Sequence, residues 1–237
     1  MKALIFAAGK GTRLKPFTDL HPKALAPVNG IALLERNLRY LQSYGINDFV
    51  INLHHFGDQI RDFLTQNQHF GASIEYSDES SALLETGGGL LFAKPLLENE
   101  SDFLIMNADI LTDLNLKEFI NAHKSTDNLV TLAVSERNSS RKLLFNADGL
   151  LKGWQNSASG EIRLAQPAQD LTPLAFSGIH CVNSQLFDKI KRTGKFSIMD
   201  EYMDLMGPQK IHGFKHNARL VDVGRPESVI EAEQYFK

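Results

Sequence analysis

Two hydrophobic rhythms alternate along the first half of this chain. Apolar stretches at Ala3-Leu-Ile-Phe-Ala7, Asp48 to Leu53 and Phe103 to Met106 have the length and continuity of strands buried on both faces, and Ser73 to Tyr76 predicts a further strand. Between them the spacing turns helical. Leu34, Leu38 and Leu41 mark one amphipathic helix, closed at Gly45 where a left-handed residue suits a helix end; Ile60, Phe63 and Leu64 mark a second, and Leu90 to Leu97 a third. Strand alternating with helix predicts an α/β fold: a doubly wound, mixed, mainly parallel sheet whose ligands lie beyond the carboxyl ends of its strands.

From about Asn138 the alternation loosens. Lys142 to Phe145, the turn Asn146-Ala-Asp-Gly149 and Leu150 to Trp154 predict a β-hairpin, Phe176 to Val182 a strand, and Pro226 to Phe236 a closing helix with Val229, Ala232 and Phe236 on one face. The polar run from Gln155 to Gln169 is too long for a minimal connector and is expected to form a loop covering the site. No repeat or boundary divides the chain, so one domain over 1–237 is expected, with a small β-rich insertion in its second half.

Composition narrows the function classes. At 237 residues and 43% hydrophobic, the chain buries a sizeable core. Lysine plus arginine, 25, against 28 acids leaves a formal charge of -3, so no global positive field draws in a nucleic-acid backbone, and any phosphate is held locally. Ala3 to Ala8 is too short for a signal-peptide core or a membrane span, and the single cysteine, Cys181, excludes an internal disulfide. No membrane or nucleic-acid partner and a cytoplasmic location are therefore expected, with Cys181 read as a small buried hydrophobe.

Candidate chemistry begins where the first strand ends, at Ala7-Ala-Gly-Lys-Gly-Thr-Arg-Leu-Lys-Pro-Phe-Thr18, followed by His21-Pro-Lys-Ala-Leu-Ala-Pro-Val28. Gly9 and Gly11 let the backbone turn sharply and approach phosphate oxygens, with amide N–H groups facing the anion. Arg13 offers a rigid fork of donors and Lys23 a mobile point charge. Two glycines alone describe a tight surface turn equally well. A Walker loop is excluded because Gly9-Lys10-Gly11-Thr12 lacks its Gly-Lys-Ser/Thr spacing, and a dinucleotide fingerprint because Leu14 stands where its third glycine belongs. His54 and His55 are neighbours on a strand, point to opposite faces and suit a structural role better than one shared ion.

The run Ala7 to Val28 resembles the signature of the sugar-phosphate nucleotidyltransferases. The resemblance continues through Leu84-Glu-Thr-Gly-Gly-Gly89, Asn107-Ala-Asp109, Phe176-Ser-Gly-Ile179 and Val221-Asp-Val-Gly224, nearly the whole chain. It implies a nucleotide-binding half over 1–135 and a sugar-binding and C-terminal half over 136–237. It further implies that Ala8, Gly9, Gly11, Thr12, Arg13, Lys23, Gly87 and Gly88 meet the nucleotide, the last two through backbone groups at the base. Glu85, Asn107 and Gly178 are implied on the sugar side, with Arg13, Lys23 and Asp109 as catalytic groups.

Asp109 and Asp222 resemble the family's metal ligands. Two carboxylates about 4 Å apart would repel by about 4 kcal/mol at an effective dielectric near 20, so bringing them together requires a cation, and Mg2+ suits oxygen ligands shared with substrate phosphates. Read without the resemblance, Asp109 caps a turn and Asp222 favours a helix start.

The reaction implied joins a nucleoside triphosphate to a sugar 1-phosphate with release of pyrophosphate. Many relatives carry a Val-Glu-Lys-Pro segment on the sugar side; it is absent between Ser135 and Leu174, as in the muramate-type relatives, which favours UTP with N-acetylmuramate 1-phosphate. The alternatives are GTP or CTP with mannose or heptose 1-phosphate, or a noncatalytic nucleotide-sugar-binding protein. Arg141, Lys142 and Arg163 read as phosphate or carboxylate contacts or as solvated charges, Arg225 as a phosphate contact or a helix start. A monomer or simple homodimer is expected.

Overall fold

The computed structural model describes residues 1–237. β1 (Ala3–Phe6) leads through a short ribbon of β2 (Pro27–Val28) and β3 (Ile31–Ala32) into α1 (Leu33–Gln42). Then come β4 (Asp48–Leu53), α2 (Gly57–Gln66), β5 (Ser73–Asp78), α3 (Glu85–Phe92), α4 (Lys94–Leu97) and β6 (Asp102–Asn107). These strands run parallel in the order β5-β4-β1-β6. The winding therefore reverses between β1 and β6, and such a reversal opens a crevice at the carboxyl ends. The residues after Phe6 and Asn107, which are register partners, enter that crevice together.

The second half adds β7 (Ile110–Thr112), α5 (Leu116–Lys124), β8 (Val130–Ser135), β9 (Arg141–Phe145), β10 (Leu151–Asn156) and β11 (Glu161–Leu164). It closes with β12 (Thr172–Asn183), α6 (Ile198–Leu205), β13 (Ile211–Lys215), β14 (Leu220–Asp222) and α7 (Pro226–Tyr235). β12 runs antiparallel to β6, β8 and β9, joining the parallel half to the meander β9-β10-β11. The sheet is mixed, as the sequence predicts, with its parallel strands around the crevice.

Strand periodicity divides the core in two. Ile5, Ile51, Leu104 and Met106 face α1, α2 and α5, whereas Leu4, Val50, Phe103 and Ile105 face α3, α4 and α6. Because both faces are covered, these strands carry the unbroken apolar runs seen in the sequence. α1 ends at Gly45, at φ 79°, across which the Ile46 N–H reaches back to the Leu41 carbonyl at 3.2 Å. A third cluster packs Val229, Ala232 and Phe236 of the closing segment against Leu14, Val28 and Val221, pinning the glycine-rich turn to the C-terminal helix.

Two expectations need correction. The polar run 155–169 is not a loop over the site: its first two residues finish β10, and Glu161–Leu164 form β11, an exposed edge strand paired with β10. Glu161-Ile-Arg-Leu164 alternates polar and apolar residues inside the polar run, hydrogen bonding to β10 supports it as a strand, and none of 155–169 lines either cavity described below. The helix expected at Leu90 to Leu97 begins at Glu85 and breaks at Ala93. Pro95, lacking an N–H, cannot continue the ladder of α3 and stands instead in the first turn of α4.

Cys181 is fully buried, and burial pushes its thiol up to about 12. Alkylation at pH 8 is therefore expected to leave the native protein unlabelled and to modify Cys181 only after denaturant unfolds it, as mass spectrometry would register. None of the helices is long and apolar enough to cross a membrane.

Candidate active site

The crevice holds two adjoining cavities. The first, about 390 Å³, is lined by Ala7, Ala8 and Gly9 after β1, by Asn107, Ala108 and Asp109 after β6, by Lys23, and by Leu83, Glu85 and Thr86 at the entry to α3. The second, about 720 Å³, shares Asn107 and Asp109 with it and continues along Ile110, Gly178, Asp222 and a row of cations toward Trp154. Asn107 and Asp109 thus form the seam between them.

Gly11 needs to be glycine twice over. Its φ is 61°, and a Cβ there would lie 2.8 Å from Thr18 Cγ2 and 2.9 Å from Lys23 Cβ. Its carbonyl accepts from the Leu14 N–H at 2.8 Å and the Thr18 hydroxyl at 2.9 Å, which closes the turn on itself. The turn therefore leaves no room for a side chain at Gly11 beside the Lys23 stem. Lys23, in the short turn after Pro22, donates to Asp109 Oδ2 across the base of the first cavity.

Asp222 reaches the seam from the far end of the sequence. β14 pairs antiparallel with β7, setting Asp222 opposite Ile110, and the Val223 N–H donates to the Asp109 carbonyl at 2.8 Å. The two aspartates are thus held on neighbouring segments. Asp222 Oδ1 is buried without a hydrogen-bond partner, an arrangement that costs free energy unless a cation or donor joins it. A Cβ at Gly224 would lie 2.8 Å from Asp222 Oδ1 and 2.9 Å from Arg13 Nη2, so the guanidinium and the carboxylate flank one point.

Some expected nucleotide contacts lie elsewhere. Ala8 lines the first cavity as expected, but its N–H is taken, donating to Asn52 Oδ1 at 3.1 Å. Thr12 is exposed and lines neither cavity, and Arg13 lines only the second. The Gly87 and Gly88 amides do not face the first cavity: both donate to the Phe196 carbonyl, at 2.9 and 3.3 Å. Packing sets their identity, since a Cβ at Gly87 would strike the Phe196 ring at 2.3 Å and one at Gly88 the Gly194 carbonyl at 2.2 Å. Of the residues expected on the sugar side, Asn107 and Gly178 line the second cavity, whereas Glu85 lines the first and pairs with Lys195 at 3.5 Å. Arg163 belongs to neither, being paired with Glu161 and Asp200.

Other wall residues escaped the sequence reading. Asn52 accepts from Ala8 and donates to Glu79, whose carboxylate also accepts the Leu84 N–H at 3.2 Å, so a buried relay ties the glycine turn to the entry of α3. Burial raises the Glu79 carboxyl above the usual range against these two hydrogen bonds. A polar residue inside the apolar run Phe49 to Leu53 was the available signal for Asn52. Arg137, which donates to the Phe176 carbonyl at 2.8 Å, gave none.

Residues 2–237 match the nucleotidyl transferase family. An N-acetylmuramate alpha-1-phosphate uridylyltransferase of Neisseria meningitidis is 31% identical over 98% of this chain and 97% of its own length, and one of Caulobacter vibrioides is 28% identical over 98% and 95%. A mannose-1-phosphate guanyltransferase of Gibberella zeae is 25% identical over 97% of this chain, which spans 62% of that relative. Among solved structures, HddC from Yersinia pseudotuberculosis complexed with GMP-PN superposes with a TM-score of 0.79 at 23% identity, covering 100% of this chain and 99% of that one. Sequence match and sheet topology agree: the chain belongs to the nucleotidyl transferase family, among the sugar-phosphate nucleotidyltransferases.

Proposed function

We propose that the protein transfers the uridylyl group of UTP to N-acetylmuramate 1-phosphate, releasing pyrophosphate, in a Mg2+-dependent reaction of the cytoplasm. The observation that carries the reaction type is the seam. Two cavities meet at Asn107 and Asp109, with the Lys23 ammonium on one side and the unsatisfied Asp222 carboxylate on the other. The substrate reading draws on the two uridylyltransferase relatives, which match this chain over nearly their whole length.

In this reading the nucleotide lies in the first cavity with its phosphates at the glycine turn, and the sugar 1-phosphate enters the second. A sugar-phosphate oxygen attacks the α-phosphorus in line. One P–O bond forms as the bond to pyrophosphate breaks, and no covalent enzyme intermediate is required. Lys23, oriented by its bond to Asp109, presents a fixed charge to the α-phosphoryl oxygens, while Arg13 faces charge developing near Asp222. Asp109 and Asp222 would hold Mg2+, since two carboxylates completed by phosphate oxygens suit that ion and Asp222 Oδ1 otherwise lacks a partner. The bound ion would supply charge neutralisation between the two anions.

Pyrophosphate release with each nucleoside triphosphate and a panel of sugar 1-phosphates, with and without Mg2+, tests the whole reading. Product from UTP and N-acetylmuramate 1-phosphate supports it. Preference for GTP or CTP with mannose or heptose 1-phosphate redirects the substrates and keeps the reaction, and no product from any pair ends the proposal.

Gly11→Ala probes the link between turn and lysine. The left-handed conformation alone should cost about 1–2 kcal/mol of stability. Because the added methyl meets Lys23 Cβ, the loss of kcat is expected to exceed what that destabilisation explains when activity and thermal unfolding are measured together.

A further inference from the structure

The wall of the first cavity contains a chain of hydrogen bonds whose direction is fixed at both ends. A backbone amide only donates, so the Ala8 N–H takes Asn52 Oδ1, at 3.1 Å, and the Leu84 N–H takes Glu79 Oε2, at 3.2 Å. That leaves Asn52 Nδ2 to donate to Glu79 Oε1. Position 79 must therefore accept at both of its oxygens. A carboxylate does so, whereas an amide of the same shape presents one acceptor and one donor.

The surroundings are fitted to this pair. Asn52 and Glu79 are 2% and 1% exposed, and both line the cavity. A Cβ at Gly89 would lie 2.5 Å from Glu79 Oε1 and 3.1 Å from Asn52 Nδ2, so the last glycine of the run 87–89 leaves room for their contact. Glu79 also closes its own loop, its carbonyl accepting the Ala82 N–H at 3.0 Å. Leu84 stands at the start of α3 with no polar side chain to cap it, and Glu85 after it is held at φ 61°, a left-handed conformation unfavourable outside glycine. Leu83, Glu85 and Thr86 of this strained entry line the same cavity. The Glu79 carboxylate braces it from below.

We infer that Asn52 and Glu79 are a positioning pair for the nucleotide: their directional chain fixes the turn after β1, at Ala8, against the entry of α3, at Leu84, and so sets the affinity of the cavity between them. Neither side chain has to reach the reacting atoms. The inference rests on the reading that the first cavity takes the nucleoside triphosphate, and it names what keeps that cavity in shape.

The test is an exchange of acid and amide. Glu79→Gln puts an NH2 group against the Leu84 N–H or the Asn52 amide, and turning Asn52 over only moves the conflict to Ala8, so one buried donor always faces another. α3 keeps its other anchors, the Gly87 and Gly88 amides on the Phe196 carbonyl, so the variant should fold. Each nucleoside triphosphate is titrated calorimetrically into wild type, and the tightest is used throughout. Its Kd and KM are expected to rise roughly 10-fold in Glu79→Gln, while kcat at saturation and KM for the sugar 1-phosphate change by less than about threefold. Asn52→Asp combined with Glu79→Gln restores the chain, because the new carboxylate accepts from Ala8 and from the new amide, whose oxygen accepts from Leu84. The double variant should return to within about threefold of wild type. A folded Glu79→Gln with unchanged Kd and KM overturns the inference and leaves the reaction standing, and so does a double variant that recovers its melting temperature without its affinity. If Glu79→Gln does not fold, the double variant decides: wild-type affinity upholds the pair, and weak affinity or failure to fold overturns it. Affinity lost and regained in a protein that releases pyrophosphate from no substrate pair upholds the pair and ends the reaction, whereas a wild type that binds no nucleoside triphosphate overturns both.

Discussion

Lys23→Ala is expected to lower kcat by about 10²–10³-fold, the loss seen when one fixed donor is removed from a transition-state anion, while shifting the melting temperature only slightly. The ammonium is bonded to Asp109 and its residue is fixed in the short turn after Pro22, so its position is set before substrate arrives. Such a preorganised charge acts on the transition state more than on the bound ground state, so kcat should fall more than KM for UTP rises. Lys23→Arg should remain impaired, because a planar fork does not reproduce a compact charge in so tight a space. Pyrophosphate release under saturating substrates, beside thermal unfolding of the same samples, checks both parts. A Lys23→Ala enzyme within a fewfold of wild type would remove the lysine from the reaction.

The parts of this fold that were legible in the sequence are those whose surroundings are uniform. Ala3 to Phe6 and Phe103 to Met106 are apolar on both faces because helices cover both faces, and Leu34, Leu38 and Leu41 repeat because α1 buries a single stripe. Lys23, Asp109 and Asp222 were readable only through the long resemblance, since one lysine and two aspartates at such separations carry no local signal; their meeting depends on β14 lying beside β7. What stayed hidden was set by distant neighbours. Gly87 and Gly88 look like a backbone recognition loop until Phe196 and Gly194, far downstream, are found against them. β11 looks like loop because its short alternation, Glu161-Ile-Arg-Leu164, is set inside a long polar run and its apolar residues stay exposed on an edge strand held by hydrogen bonds to β10. Arg141 and Lys142 read as anion contacts or as solvated charge, and only the cavity places them in company with three other cations.

Asp222→Asn is expected to separate metal binding from folding. The carboxylate has a buried oxygen without a partner, stands beside Asp109 and is only flanked by Arg13, so in the metal-free protein it contributes little to stability. Asparagine keeps the shape and removes the charge. The variant should therefore unfold at or above the wild-type temperature in chelator, whereas added Mg2+ with UTP should raise the melting temperature of wild type and scarcely move that of the variant, because ligand stabilisation follows affinity for the folded state. Since replacing even outer partners of a metal costs roughly 10–100-fold in affinity or activity, loss of a direct ligand should cost at least as much, seen as a higher Mg2+ concentration for half-maximal pyrophosphate release. Asp109→Asn should lose more. Asp109 also orients Lys23, so its replacement removes a ligand and loosens the charge at the α-phosphate in one step. Equal Mg2+ dependence in wild type and Asp222→Asn would free that carboxylate from the metal and leave its buried oxygen to be explained by Arg13 alone.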